Sequence, residues 1–377
     1  MSRFLRDLFL PVSTTSTSTS TSTSPPPPPL PSPTHPKSPQ CHPFPSNSTP
    51  QPQPQPTNTT TNTIIPLFPT LTASDLPPSR LLDEDALLSA IRKLPAKRRA
   101  AAVISRGGPG VEILAYSNCI AYKRACSERE ARLMELASSS TKSSKDGRQL
   151  APRLLCRVKR RIKIKTEDGW QHRTMTCGIL MELARPFDLN TGTAHRLKSD
   201  DERKRVSCEA VELVRGLHGM GMVHGDVKPE NFVVALPTAD APRLLVDPKT
   251  DGQVREWEGE PRLMLIDFAH AFRVSDDDGE GDDARAWRKG YSDGYVSPAR
   301  LREEERMGRL APPAEGDDLY ALAVTLWRIW GGDVEGEGWL GKDGRCSWGR
   351  VRAVVKDDEV LGVIRGGLEG GGVVIED

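Results

Sequence analysis

The sequence predicts an α+β fold in two lobes, a small one built on an antiparallel sheet and a larger, mainly helical one. Three observations carry this. Strand-length apolar runs and a clear hairpin crowd residues 104–182, helical periodicity takes over from about residue 205, and a long Ser/Thr/Pro-rich stretch precedes both. That stretch, residues 13 to about 78, includes Thr14–Ser24 and the run Pro25–Pro29. Such a composition buries too little apolar surface to offset its ordering entropy. Residues 1–78 are therefore assigned to a disordered, partly polyproline tail, 79–183 to the small lobe and 184–377 to the large lobe. The tail suits proline-recognition partners or phosphorylation.

The small lobe is justified element by element. Ile104–Tyr116 reads as strand, glycine-rich turn and strand; the N–H groups of Gly107 and Gly108 either approach phosphates or form an ordinary hairpin turn. A strand through Asn118–Ala125 carries Lys123. A helix follows at once over Ser127–Ala137, where Ser127-x-x-Glu130 has the form of a capping box. After a Ser/Lys-rich loop, Leu154–Lys165 and His172–Glu182 form a hairpin around Asp168-Gly169. The basic residues from Arg157 to Lys165 alternate, as on a solvated strand face.

In the large lobe, Val206, Ala210, Leu213, Val214 and Leu217 recur at helical spacing over Arg205–Met220, and Gly219 and Gly221 offer a stop. Then comes His224-Gly225-Asp226-Val227-Lys228-Pro229-Glu230-Asn231. Two short apolar runs, 231–236 and 262–266, flank a polar insert, and the second leads into Asp267-Phe268-Ala269. An acidic stretch covers 275–283, Ser297-Pro298-Ala299 follows, and Asp317–Trp330 reads as a buried helix. Beyond Trp330 the chain is short and Gly-rich, so the closing helices are expected to be reduced or missing.

The pattern around Asp226 suits phosphoryl transfer. A transferred phosphoryl group spreads charge over three oxygens, so its transfer needs positioning and charge neutralisation. An acid, a cation and an amide close in sequence, with a second acid downstream, supply both. Asp226-x-Lys228-x-x-Asn231 with Asp267-Phe268 resembles the H-R-D-x-K-x-x-N loop and D-F-G of protein kinases, and the H-G-D variant is similar to divergent fungal kinase-like proteins. The resemblance covers about residues 104–330, in the family's order.

That resemblance implies a two-lobed kinase-like fold using ATP and Mg²⁺. It makes Asp226 the catalytic acid that orients the attacking hydroxyl and Lys228 the cation on the transferring phosphate. Asn231 and Asp267 become the metal ligands. Lys123 stands where the family carries its phosphate lysine, with Glu130 as its ion-pair partner and Glu135 as the alternative. Met181 stands at the gatekeeper position, with the backbone of Glu182 and Leu183 facing adenine. Asp318 aligns with the acid that holds the catalytic-loop backbone, its other reading being a helix cap. His224 is expected to pack on Phe268 as a structural residue.

The departures carry expectations too. Gly225 replaces the arginine that grips an activation-segment phosphate, so activity should not depend on phosphorylation there. Ala269 replaces glycine, and Ala299 replaces the glutamate of A-P-E. The expected activity is transfer to a protein Ser/Thr hydroxyl; a pseudokinase scaffold and a small-molecule phosphotransferase are the alternatives.

Composition narrows the rest. The formal charge of +1 over 377 residues argues against a general nucleic-acid binder, and no specific nucleic-acid partner is expected. The apolar stretch Leu8–Val12 is too short for a secretory core, and no membrane span is visible. The cysteines form no C-x-x-C pair and suggest reduced thiols, hence an intracellular protein, cytoplasmic or nuclear.

Overall fold

A computed structural model of the chain describes residues 66–77, 79–106, 111–139, 149–166, 169–187, 197, 199–235, 262–274, 292, 294–308, 311–332, 340 and 344–376. It has the two-lobed kinase-like α+β fold. Gly107, Gly108, Asp168, the insert at 237–261 and the acidic stretch at 275–283 lie outside the described residues.

The small lobe is a six-stranded sheet in the order β1-β5-β6-β4-β3-β2. Its strands are β1 (Leu81–Asp83), β2 (Val103–Arg106), β3 (Glu112–Ala115), β4 (Ile120–Arg124), β5 (Leu154–Thr166) and β6 (Gly169–Glu182). The sheet is not purely antiparallel, since β1 pairs with β5 in parallel. Two helices absent from the sequence reading lie between β1 and β2: α1 (Glu84–Arg92) and α2 (Ala96–Ala101). Asp83 caps α1 by accepting from Ala86 N at 2.9 Å, and Leu87 and Ile91, one turn apart, point into the core.

The lobe also begins earlier than residue 79. Leu67 N and Phe68 N donate to the carbonyls of Ala115 and Tyr116 at 2.9 and 2.8 Å, which extends the pairing beyond β3. Leu67 is buried in the core with Leu114, Tyr116 and Ile120, and Phe68, Leu71 and Leu76 pack against it. Local apolar residues inside a Pro/Thr-rich stretch thus join the fold and correct the boundary at 78. Leu67→Ala is expected to cost about 2.5 kcal/mol of stability in urea unfolding, the ordinary cost of an emptied core site. A change below about 0.5 kcal/mol would mean that 66–78 contributes nothing to the lobe.

α3 (Glu128–Ser139) follows β4 after only three residues. Ala125 makes the sharp exit at φ +56°, a left-handed conformation unusual outside glycine. Between β6 and the large lobe, β7 (Ala184–Pro186) pairs antiparallel with β9 (Phe232–Ala235), which in turn pairs with β10 (Leu263–Leu265).

The large lobe is organised on α6 (Glu315–Ile329), buried on nearly every face. α4 (Asp200–Gly219) and α8 (Asp358–Gly370) pack on it, while α5 (Pro298–Met307) and α7 (Trp348–Val354) lie outside. α4 starts earlier than the periodicity alone suggests, because Ser199 and Glu202 form a full capping box. β8 (Met222–Val223) pairs with β11 (Phe272–Arg273), and β12 (Arg345–Ser347) runs parallel to β13 (Val374–Glu376).

The expected loss of closing helices is therefore corrected: α7 and α8 are present. Their glycines conceal them in the sequence, and one of them, Gly367, serves the packing. A Cβ on Gly367 would stand 2.4 Å from the Leu319 carbonyl, so α8 approaches α6 at a distance only glycine permits. Ala299 has a related role. Its N–H donates to Gly371 O at 3.1 Å, and its methyl lies beside Gly372, so backbone docking stands where the family's glutamate would make an ion pair.

Candidate active site

Two stretches meet at the site, and each is positioned by backbone. The first is the loop 224–231 between β8 and β9. Asp318 in the first turn of α6 is 1% exposed and accepts from His224 N at 2.7 Å, Gly225 N at 2.8 Å and the His218 ring at 3.0 Å. It holds the loop rather than capping its own helix. The local cap belongs to Asp317, which accepts from Ala314 N at 2.7 Å and also from the Ser297 hydroxyl. Gly225 turns the chain at φ +77°, with no room for a side chain: a Cβ would lie 2.8 Å from both His270 O and Pro313 Cγ.

Within the loop, Lys228 Nζ donates to Asp226 Oδ2 at 2.7 Å. Asn231 Nδ2 donates to the Asp226 carbonyl at 2.7 Å and to its Oδ2 at 2.9 Å. The amide nitrogen is thereby committed, which leaves Oδ1 as the atom for a cation. His224 Nδ1 accepts from Asp226 N at 3.3 Å, so the ring proton sits on Nε2, 3.1 Å from the Ile266 carbonyl. In edge contact with Phe268, centroids 5.1 Å apart, the ring is that of a structural histidine.

The second stretch leaves β10 through Asp267. Ile266 N donates to Asn231 O at 2.9 Å, so Asn231 and Asp267 stand one residue apart across the β9–β10 pairing. Asp267 has φ +66°, a conformation that non-glycine residues keep only where the surroundings enforce it.

Lys123 connects this stretch to the small lobe. It lies mid-sheet in β4, flanked by Ile113 and Ile179 in the pairing, and is 4% exposed. Its ammonium donates to Glu130 and, at 2.7 Å, to Asp267. Burial alone would lower the lysine's pKa, but the charges of Glu130 and Asp267 outweigh it and push it up. Burial alone would raise Asp267, but the charge and hydrogen bond of Lys123 hold its carboxyl below the usual aspartate value. The pair therefore stays ionised throughout the neutral range.

The two readings of Glu130 separate here. Ser127 does cap α3, accepting from Glu130 N at 3.1 Å, while the Glu130 carboxylate goes to Lys123. Glu135 turns to Arg157 instead, at 2.5 Å. Next to Glu130, Arg129 Nη2 donates to the Ala269 carbonyl at 3.0 Å, fixing the segment after Asp267.

Ser292 was not found from the sequence. Its hydroxyl donates to Asp226 Oδ1 at 2.8 Å and accepts from Lys228 Nζ at 2.6 Å, closing a triangle on the two catalytic candidates. Its signal was position alone, three residues before Tyr295. The Tyr295 hydroxyl accepts from Arg328 at 2.6 Å, and Arg328 also pairs with Glu230 at 2.9 Å, tying that segment to the loop.

Glu182 and Leu183 differ from expectation in detail. Their N–H groups already donate to Arg153 O and Cys119 O at 3.0 and 2.9 Å, so only carbonyls remain there for a ligand. The Glu182 carboxylate pairs with Arg153 at 3.0 Å.

Curated relatives are found by sequence. The chain is 27% identical over 140 residues to a probable cell division protein kinase of Encephalitozoon cuniculi. It is 27% identical over 136 residues to a serine/threonine-protein kinase, PKH3, of Eremothecium gossypii, and 28% identical over 134 residues to 3-phosphoinositide-dependent protein kinase 1 of Arabidopsis thaliana. Over these stretches the chain is similar to protein kinases. The matches cover about a third of this kinase-like chain, 35, 36 and 36%, and only 38, 14 and 22% of the three relatives' own lengths. No family model matches it.

A kinase-like Mg²⁺ site takes few protein oxygens and completes its octahedron with water and phosphate. Asn231 Oδ1 and the ionised, part-exposed Asp267 fit that donor set. Among the described residues no cluster of three His, Cys, Asp or Glu competes for a metal ion. Among the same residues no helix is long and apolar enough to cross a membrane.

Proposed function

We propose that the chain transfers a phosphoryl group from Mg²⁺-bound ATP to a Ser/Thr hydroxyl of a protein. The observation that carries this reading is the buried Lys123 ammonium bridging Glu130 and Asp267. It joins the small lobe's lysine to the large lobe's acid where a nucleotide's phosphates would lie. ATP supplies the phosphoryl group, and Mg²⁺ supplies charge neutralisation.

The chain's own residues do the rest. Lys123 orients phosphate oxygens, and Asn231 and Asp267 hold the cation. Asp226 aligns the acceptor hydroxyl and receives its proton. Lys228 offsets the charge on the group in transit, at a position that favours protein Ser/Thr acceptors over small molecules. Ser292 keeps Asp226 and Lys228 in register.

A thermal-shift series tests this. Mg²⁺-ATP at about a hundred times its Kd should stabilise the protein by about 2.7 kcal/mol. Asp267→Asn, which keeps the side-chain shape, should abolish most of the Mg²⁺-dependent part. Asp226→Asn should bind ATP normally yet lose at least about a hundredfold in turnover on a Ser/Thr peptide. A parent that shifts with ATP but turns over no faster than Asp226→Asn is a nucleotide-binding scaffold. Turnover on small hydroxyl compounds alone would move it to the small-molecule class.

A further inference from the structure

β5 sets a row of cations on one face of the small-lobe sheet. Alternate residues of a strand share a face, so Arg157, Lys159, Arg161, Lys163 and Lys165 stand about 6.8 Å apart in one line. The inner two are already matched by an acidic helix. Glu128 of α3 pairs with Arg157 and, at 2.6 Å, with Lys159, and Glu135, two turns along, takes the second guanidinium nitrogen of Arg157.

The outer three are placed differently. β1 pairs only with residues 157–159 of β5, and β4 only with residues 178–182 of β6. Beyond them β5 and β6 continue as a two-stranded ribbon, from Arg160↔Met175 to Thr166↔Gly169, with both edges unpaired among the described residues. Among the described residues Arg161, Lys163 and Lys165 make no ion pair. Lys163 lies over the Trp170 ring, 5.2 Å from its centroid. Trp170 is 62% exposed and stands opposite Lys165, with His172 opposite Lys163, so an aromatic plate and an imidazole share the cationic face. From Arg157 to Arg173 the sequence holds seven Lys or Arg against two acids, Glu167 and Asp168, in a chain of net charge +1.

We propose that this ribbon face is a docking surface for an acidic polypeptide segment of a partner protein. Charge complementarity names the occupant, and the chain's own packing supplies the precedent. The inner half of the same row is neutralised by a helix, whose Glu128 bridges Arg157 and Lys159 while Glu135 adds a second contact to Arg157. An extended segment laid along the outer half can set one carboxylate on each of the remaining cations, because its alternate residues repeat at the same spacing of about 6.8 Å. Trp170 adds amphipathic contact area of the kind enriched at interfaces. Exposed ion pairs are individually weak and screened, so the docking is reversible and salt-sensitive.

Fluorescence anisotropy on the full chain tests this with two labelled probes, a twelve-residue peptide bearing Glu at alternate positions and an oligothymidine of matched charge. The peptide should bind, and raising salt from about 50 to about 300 mM should weaken it. Joint reversal by Arg161→Glu, Lys163→Glu and Lys165→Glu should weaken it at least about tenfold, with far-UV circular dichroism unchanged, since all three side chains face solvent. Arg306→Glu, on α5, should leave the affinity within about twofold. Should the triple variant misfold, Lys165→Glu alone is expected to weaken binding about threefold.

Equal affinity in parent and reversed chains overturns the proposal. So does an oligothymidine bound about tenfold more tightly than the peptide, which would give the ribbon to nucleic acid. A parent that binds neither probe at about 1 mM also overturns it, leaving the lysines as guards of an open strand edge.

Discussion

Asp318→Ala is expected to lower unfolding stability by about 3–5 kcal/mol, the cost of breaking a buried charged network. Asp318 is 1% exposed, and each of its oxygens serves the 224–231 loop, Oδ2 to His224 N and Oδ1 to Gly225 N. Alanine leaves both N–H groups and the His218 ring facing apolar packing without an acceptor, and each such orphan costs about 1–3 kcal/mol. Asn should fare little better. Its single oxygen satisfies one N–H, while its amino group meets the other donor head-on. Urea unfolding reads the stability, and peptide phosphorylation reads the loop. Turnover should fall with both variants under conditions where they remain folded. A loss under about 1 kcal/mol with turnover intact would show that the loop stands without this anchor.

Gly225→Arg is expected to remove activity rather than convert the chain to a phosphorylation-dependent form. The position has φ +77°, and the first side-chain atom would fall 2.8 Å from a backbone oxygen, His270 O, and 2.8 Å from a proline ring. Neither neighbour is the flexible end of a side chain, so the loop itself must shift. The cost is about 3 kcal/mol, of the order seen for steric and backbone-strain substitutions. Turnover should drop at least tenfold, because Asp226 follows immediately (about 1.4 kcal/mol of barrier per tenfold). Gly225→Ala separates the causes: it carries the same Cβ without the charge, and most of the loss should already appear there. Phosphatase treatment of the parent should leave turnover within about twofold. An Arg variant with full activity that became phosphatase-sensitive would overturn this account.

The sequence revealed the site through chemistry that depends on short spacing. Asp226, Lys228 and Asn231 lie in one loop, and their mutual hydrogen bonds follow from that closeness. Lys123 and Asp267 are 144 residues apart; resemblance gave each a role without pairing them, and the sheet and the β9–β10 hairpin bring them together. Ser292 stayed hidden because a serine 66 residues from its acid carries no local signature. Leu67 and Phe68 were masked by the prolines and threonines around them, although the Ile64-Ile65-Pro66-Leu67-Phe68 cluster was a visible apolar signal. α8 was masked by its glycines, although Val360, Leu361, Ile364 and Leu368 keep helical spacing. In both places composition was averaged over a window that contained a short packing pattern.

Adjacent residues of α3 grip opposite sides of the site, Glu130 the lysine ammonium and Arg129 the carbonyl of Ala269. Displacing that helix by a single turn therefore releases both grips in one movement. Both contacts are yoked to one rigid rod, so a shift of α3 alters the ammonium and the carbonyl together rather than one at a time.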